Sequence, residues 1–443
     1  GCATTFRRGD FTLEVGLHEM DGPGGRDMKN RIFSELDVTG NVEFIHVPEF
    51  YRFIRGDLAV TIPHDPQMAS ARLTEMFPGE KEGIAKYFEQ LLGPRKKPAG
   101  EHEPDRSVGD FLDSVIGNDD LKLILLGNLG YFHDDPYSLS LAYYSVAEGS
   151  YYTNGASFIK GGSQKLSDHL SAYIKSHGGE VLLNRLVTGI TVKDGRATGV
   201  TFRKRSGAQQ TPEEAMADEI VANCSIPALA GMLPPEQGEL LRGECSGLNT
   251  GASLLTVYFG FDRPLQEIGH YYYSTFIYDN TVRSQADIAA NNRADFALRS
   301  FTFVDYGQVD SALAPEGKSV GAVCCIDYLA DWENLPKEEY EQKKEYVART
   351  YIKRLDKLIP GFEEAVAYYE VGTPVTVKRY SLNPGGAVYG FAQNPGRKVI
   401  DSFSAVENLH IASAWGRTGG GSSGAICGGY LCAFNILRKK ARR

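Results

Sequence analysis

The chain ends on a segment that leaves few folds open. A short β-type run, Leu409 to Ala412, leads into Trp415-Gly416-Arg417-Thr418-Gly419-Gly420-Gly421-Ser422-Ser423-Gly424, and helix-compatible residues follow from Ala425 to Leu437. Backbone stripped of Cβ atoms lets a flat group approach closely. A helix starting there turns unpaired N–H groups and a positive dipole end toward that group. Strand, bare turn and helix in that order belong to an α/β layer that receives an electron-rich heterocycle or a phosphate.

Three motifs compete for these residues. Gly419-Gly420-Gly421-Ser422-Ser423-Gly424 satisfies the dinucleotide fingerprint between strand and helix. That motif needs a second strand and an acidic residue about 20 positions on. Nineteen residues follow Gly424 and none is acidic, which excludes it. Gly420-Gly421-Ser422-Ser423-Gly424 also satisfies the nucleophile elbow of serine hydrolases. There the acid and histidine follow the serine, whereas nothing acidic lies beyond Glu407 and no histidine beyond His410. The third reading is the closing segment of a two-domain flavin oxidoreductase, with the helix N-terminus against the ring. It needs nothing downstream and is preferred.

With 443 residues, 42% of them apolar, the chain can build two or more cored units. Charge is mixed, 47 basic against 56 acidic residues, and leaves no footprint for nucleic acid. The seven cysteines lack paired spacing, which argues for a reducing, cytoplasmic compartment and against zinc. His18-Glu19 lacks the second histidine of a zincin, so no metal is expected. No apolar run reaches the ~18–20 residues of a spanning helix. The basic end from Arg438 to Arg443 reads as a solvated helix terminus, with peripheral contact to an anionic bilayer as the alternative.

Between the ends, Ser163 is placed to cap a helix with Leu166, Leu170, Tyr173 and Ile174 on one face, stopped by Gly178-Gly179. Val181–Leu183 reads as a buried strand, and Ile190 to Phe202 as a hairpin turning at Asp194-Gly195. Residues 66–150 read as mostly helical, Leu254–Phe261 and Ser319–Tyr328 as strands, and 336–360 as an amphipathic helix. Val371–Lys378 reads as a further strand, Asn383–Gly386 as a turn and 206–217 as an exposed loop. Tyr143-Tyr144 and Tyr151-Tyr152 are candidates to line a tunnel. Tyr271 to Tyr273 read as ordinary strand residues pointing to alternate faces.

Four motifs occur in a telling order. They are Gly1-Cys2-Ala3-Thr4-Thr5-Phe6-Arg7-Arg8-Gly9-Asp10-Phe11 with Gly16-Leu17-His18, Phe158 to Leu166 with Gly178-Gly179-Glu180 and Val187, Gly372-Thr373-Pro374 with Arg379-Tyr380 and Gly390, and the closing turn. Over essentially its whole length the chain resembles the phytoene desaturase, carotenoid isomerase and retinol saturase group of FAD-dependent, amine-oxidase-like flavoproteins.

The resemblance implies an α/β fold: a Rossmann-like FAD-binding domain and a substrate domain of mixed β-sheet plus helices. It divides the chain into an FAD-binding part at 1–65, a helical substrate part at 66–150, FAD-binding again at 151–230, substrate sheet and helix at 231–395, and a closing FAD-binding part at 396–443. It implies flavin contacts at Gly1, Ala3, Thr4, Thr5, Gly16, His18, Val187, Ala414, Gly420, Gly421, Gly424, Ala425 and Ile426. Two departures stand out. The first βαβ unit with its glycine turn is missing, so a fragment lacking about 40–50 residues is expected. Relatives often carry an acid where Ala414 stands, to bond the ribityl chain.

In this group the flavin performs the chemistry and the protein orients it. The implied reaction is desaturation, saturation or isomerisation of a long hydrophobic polyene, with no catalytic side chain assigned. His18 reads more readily as a structural histidine than as a catalytic one. An amine substrate and a non-catalytic prenyl-lipid escort of the same architecture are the alternatives.

Overall fold

The computed structural model describes residues 2–25, 27–93, 105–206 and 211–442. Runs rich in Val, Phe, Tyr and Cys pair into a seven-stranded mixed sheet. Its spatial order is Val366–Gly372, Ser253–Phe261, Ser319–Asp327, Phe301–Asp305, Ser274–Ile277, Tyr51–Arg55 and Leu58–Ile62. Neighbours run antiparallel except Ser274–Ile277 beside Tyr51–Arg55. The central strands read as continuous apolar runs because both faces are covered.

Alternation sorts each strand onto two faces. Leu255, Val257, Phe259, Phe303 and Val323 pack under the helix Lys337–Leu358 through its Val347, Tyr351 and Leu355. The opposite face carries Thr256, Thr302 and Cys324 and looks toward a helical layer. That layer comprises Pro66–Met76, Lys81–Leu92, Val108–Val115, Asp119–Leu125 and Leu141–Asn154. Four of its helices start on polar caps: Asp65 accepts from Met68 N–H, Ser107 from Asp110, Asn118 from Leu121 and Ser140 from Tyr143.

Glu148 is fully buried inside that layer. Its Oε2 accepts from Asn128 Nδ2 at 2.7 Å, while Glu148 Oε1 and Asn128 Oδ1 have no other partner. Burial pushes the carboxyl pKa up to about 8, so the folded chain holds a proton there that the unfolded chain releases near 4.5. The stability this proton contributes is complete below pH 4.5 and is lost as pH rises through about 8. Glu148→Gln keeps the acceptor and removes the dependence. Its melting curve should match the parent near pH 4.5 and lie above it at pH 8. The gap should widen by roughly 1.4 kcal/mol per pH step between those limits. Parallel melting curves across that range would show that Glu148 does not titrate in the fold.

The second unit wraps the first from both ends of the chain. Met20–Asp21 and Phe44–His46 flank Ala156–Ile159 in a small sheet, and the helix Gln164–Ser176 follows. The Arg185–Lys193 and Arg196–Lys204 strands form the hairpin expected at Asp194-Gly195. Ile220–Ala222 pairs in parallel with Leu409–Ile411, which delivers the closing helix Gly421–Lys440. Tyr51–Ile62 joins the large sheet, although it falls in the 1–65 stretch expected in the nucleotide-binding unit. Among the described residues no helix is long and apolar enough to cross a bilayer.

Several local expectations are corrected. Val181–Leu183 is not a strand: none of the described strands pairs with it, and Leu182 and Leu183 are exposed. Ser163 does not cap its helix, because its hydroxyl donates to Glu14 instead. Within Val371–Lys378 the strand ends at Gly372, and Pro374–Ser381 is a helix capped by Thr373. Glu213–Met216 adds a strand to the hairpin where a loop is expected; residues 207–210 of that stretch lie outside the described residues.

Candidate functional site

The free face of the large sheet supplies the floor of a cavity of about 500 Å³. Register aligns its floor in rows. Thr256 lies opposite Cys324, Cys324 opposite Thr302 and Thr302 opposite Phe276. One step along the same face Leu254 lies opposite Ile326, with Ser300 and Tyr278 just past their strand ends. One step the other way, Tyr258 leaves the cavity and bonds Val15 O. Leu129, Tyr131, Phe132, Ala147 and Tyr151 close the cavity from the helical side.

Val15 to Asp21 crosses one end of this cavity, and Glu14 holds that segment down. Its buried carboxylate accepts from Gly16 N–H at 3.2 Å, Leu17 N–H at 3.1 Å, and both N–H and Oγ–H of Ser163 at 2.7 Å. His18 follows, 8% exposed, with Nδ1 and the Tyr131 hydroxyl 2.8 Å apart. Burial brings the His18 pKa down to about 4, so the ring is neutral near pH 7. Burial first, and the neighbouring Glu49 and Glu148 carboxyls after it, raise the Glu19 carboxyl well above its ordinary range.

Asp21 ties the segment to the closing turn. It accepts from Lys29 Nζ at 2.9 Å and from the hydroxyls of Ser150 and Ser423. Burial opposes the charge on Lys29, but Asp21 and Asp27 outweigh it and hold its pKa above the usual value.

Gly420 to Gly424 line the same end of the cavity. Gly420 is the N-cap of the closing helix and supplies no capping side chain, so the first-turn N–H groups stay available. Gly421 has φ +77°, and a Cβ built on it meets nothing within 4 Å. A bare turn open to a cavity, in front of a 20-residue helix, fits the electron-rich edge of a flavin ring.

The structure brings Gly16, His18, Gly420, Gly421 and Gly424 to the cavity wall. It does not bring the others there. Ala3 and Thr4 lie against the Gln164–Ser176 helix, where Ala3 O accepts from Ser167, and Thr5 pairs with Glu14 in a β-hairpin. Val187 sits on the exposed hairpin, Ala414 backs onto Gly390, Ala425 and Ile426 continue the closing helix, and Gly1 lies outside the described residues. Of the tyrosine pairs, Tyr143 and Tyr151 line the cavity while Tyr144 and Tyr152 are buried in the core behind it. Sequence reasoning missed Asp21, Lys29, Tyr131 and the floor residues. A faint signal was the even-numbered phase shared by Leu254, Thr256, Cys324 and Ile326 within their strands.

A sheet-and-helix substrate unit meeting a nucleotide-type unit at an open glycine turn defines the two-domain flavoenzyme class. Residues 1–437 match the flavin containing amine oxidoreductases; the chain belongs to that family and is a flavin-dependent oxidoreductase. It is 25% identical to an all-trans-retinol 13,14-reductase of Danio rerio, over 99% of this chain and 80% of that protein. It is also 25% identical to a chloroplastic prolycopene isomerase of Daucus carota, over 98% of this chain and 74% of that one. A solved oxidoreductase from Methanosarcina mazei shares the fold, with TM-score 0.64 and 15% identity over 99% of this chain and 91% of that one.

Proposed function

We propose that the enzyme uses FAD to act on C–C or C=C bonds of a long hydrophobic polyene. The observation that carries the reading is the cavity wall, which is apolar from Leu254, Phe276 and Ile326 on the floor to Leu129, Phe132 and Ala147 above. Each Å² of polyene surface removed from water there contributes about 25 cal/mol, so a long chain is held without charge pairing. The retinol and prolycopene in the names of its relatives are long polyenes and support the same class. An escort for prenylated proteins has no use for an open glycine turn.

When bound, the flavin supplies hydride exchange with substrate carbon. The chain's own residues position and insulate. Gly420, Gly421 and Gly424 receive the ring edge, with Gly16 and His18 beside it. Burial keeps the His18 ring neutral and raises the Glu19 carboxyl, so both groups resist carrying charge beside the ring. The Asp21–Lys29 pair anchors the closing turn to the opening segment. In this reading residues 151–230 and 396–443 hold the cofactor, while 66–150 and 231–395 enclose the substrate. The basic end of the closing helix allows peripheral contact with a bilayer, where such substrates dissolve.

Anaerobic mixing tests the reading. The flavin-reduced enzyme should respond to a polyene, or the oxidised enzyme should bleach with one, and shortening the polyene should weaken binding steadily. Rapid bleaching by a small amine, with no response to polyenes in either redox state, would replace this reading by amine oxidation.

A further inference from the structure

The far end of the cavity carries a set of polar groups that hydrocarbon binding does not use. Distance from the flavin turn follows from strand register. Tyr258 bonds Val15 O beside the opening segment, Thr256 and Cys324 lie one row away, and Leu254 with Ile326 two rows away. Each row spans two residues, about 7 Å, so the second row lies roughly 14 Å beyond the flavin end. Ser300, Asn292 and His133 line the cavity there.

His133 and Asn292 both bond the Asp134-Asp135 segment, and His133 is incompletely bonded. The His133 side chain is 7% exposed, and its Nδ1 accepts from Asp135 N–H at 3.1 Å. The Asp134 carboxylate Oδ1 also lies 3.1 Å from Nδ1, while Nε2 is buried and has no partner. Asn292 donates from Nδ2 to Asp134 O at 2.8 Å, which orients its amide. Ser300 Oγ accepts from Asp279 N–H at 3.2 Å, so its own proton remains to donate. His133 Nε2 and the Ser300 hydroxyl therefore have hydrogen-bonding capacity to spare on a stretch of cavity wall that also carries apolar Ile288 and Ile326. A buried polar atom without a partner carries a desolvation cost that a ligand hydroxyl removes.

We propose that His133, Asn292 and Ser300 form a subsite for an oxygenated end of the substrate, a terminal hydroxyl. The hydroxyl bonds His133 Nε2 and accepts from Ser300 Oγ–H, with the Asn292 amide beside them. This rests on the polyene reading above and narrows it: the preferred ligand is a polyene alcohol entering tail-first toward the flavin, in place of an unfunctionalised carotene.

The test is equilibrium binding to the flavin-loaded enzyme, read from quenching of Trp332 and Trp415 fluorescence. The probes are all-trans-retinol and the hydrocarbon in which its hydroxyl is replaced by hydrogen. The alcohol should bind roughly 3- to 10-fold more tightly. His133→Phe and Asn292→Leu should each bring that ratio to about one while leaving hydrocarbon affinity unchanged. Two substitutions on separate loops keep the test valid if one of them misfolds, with circular dichroism as the check. A ratio near one in the parent enzyme overturns the subsite and leaves the polyene reading standing. A parent preference that persists in both variants places the hydroxyl elsewhere and also overturns it. Failure of both probes to bind removes the polyene reading, and the subsite with it.

Discussion

Replacing Gly421 with valine should lower flavin content at least tenfold while the protein stays folded. At φ +77° the backbone is left-handed, and a Cβ there meets nothing within 4 Å at a residue that lines the cavity. Valine adds strain of about 1–2 kcal/mol at such a φ, which weakens the turn with or without cofactor. Its isopropyl group acts on binding alone, by occupying the place of the flat ring; overpacking of that kind costs about 1–3 kcal/mol. Gly424 answers differently. A Cβ there would lie 2.7 Å from the carbonyl oxygens of Thr418 and Gly419, so Gly424→Val deforms the turn before any ligand arrives. Absorbance of oxidised flavin per polypeptide after reconstitution, with circular dichroism as the fold control, separates the two. Full flavin content in folded Gly421→Val would mean that the turn does not meet the ring.

The closing turn is legible in the sequence because glycine is the sole residue that advertises missing volume. Asp194-Gly195 is legible for a related reason, since its turn type demands residues that accept positive φ, as Asp194 and Gly195 both do. Val371–Lys378 misleads because Val371, Val375 and Val377 suggest a strand, whereas Thr373-Pro374 is a helix start: a cap hydroxyl followed by proline at the first turn. Val181–Leu183 misleads in another way. Three apolar residues form a strand when a neighbour completes their hydrogen bonds, and no sequence run reports its neighbour. The cavity floor is the main item out of reach. Alternation puts Thr256 and Thr302 each on a face, but which residue of Ser319–Asp327 lies between them is a matter of register across strands far apart in the chain. Glu19 and Glu148 look like ordinary solvated acids until burial is known.

The wall behind the proposed subsite rests on one buried ion pair, and breaking it should produce the largest loss of stability. Arg299 Nη1 lies 3.0 Å from Asp327 Oδ1, with side chains 5% and 1% exposed. Trp332 Nε1 donates to the other carboxylate oxygen at 2.7 Å. Asp327→Ala leaves the guanidinium its bonds to Ala294 O and Ile326 O but no countercharge, and strands the indole N–H. Removing one partner of such a pair costs about 3–5 kcal/mol, because the survivor stays buried and charged. The thermal midpoint should fall by at least about 5 °C, given roughly 2–4 °C per kcal/mol in large domains. Combining Arg299→Met with Asp327→Leu removes both charges and should recover most of that loss, which distinguishes an uncompensated charge from lost packing. Arg299 precedes Ser300, and Asp327 follows Ile326 on the cavity floor, so the single variant should also blunt discrimination between the alcohol and the hydrocarbon. Flavin content is set at the opposite end, by Gly421 and its neighbours, and should change little. A midpoint within 1 °C of the parent, roughly the effect of a surface substitution, would show that the pair is dispensable. This end of the Ser319–Asp327 strand would then be held by packing such as that of Trp332 against Phe296.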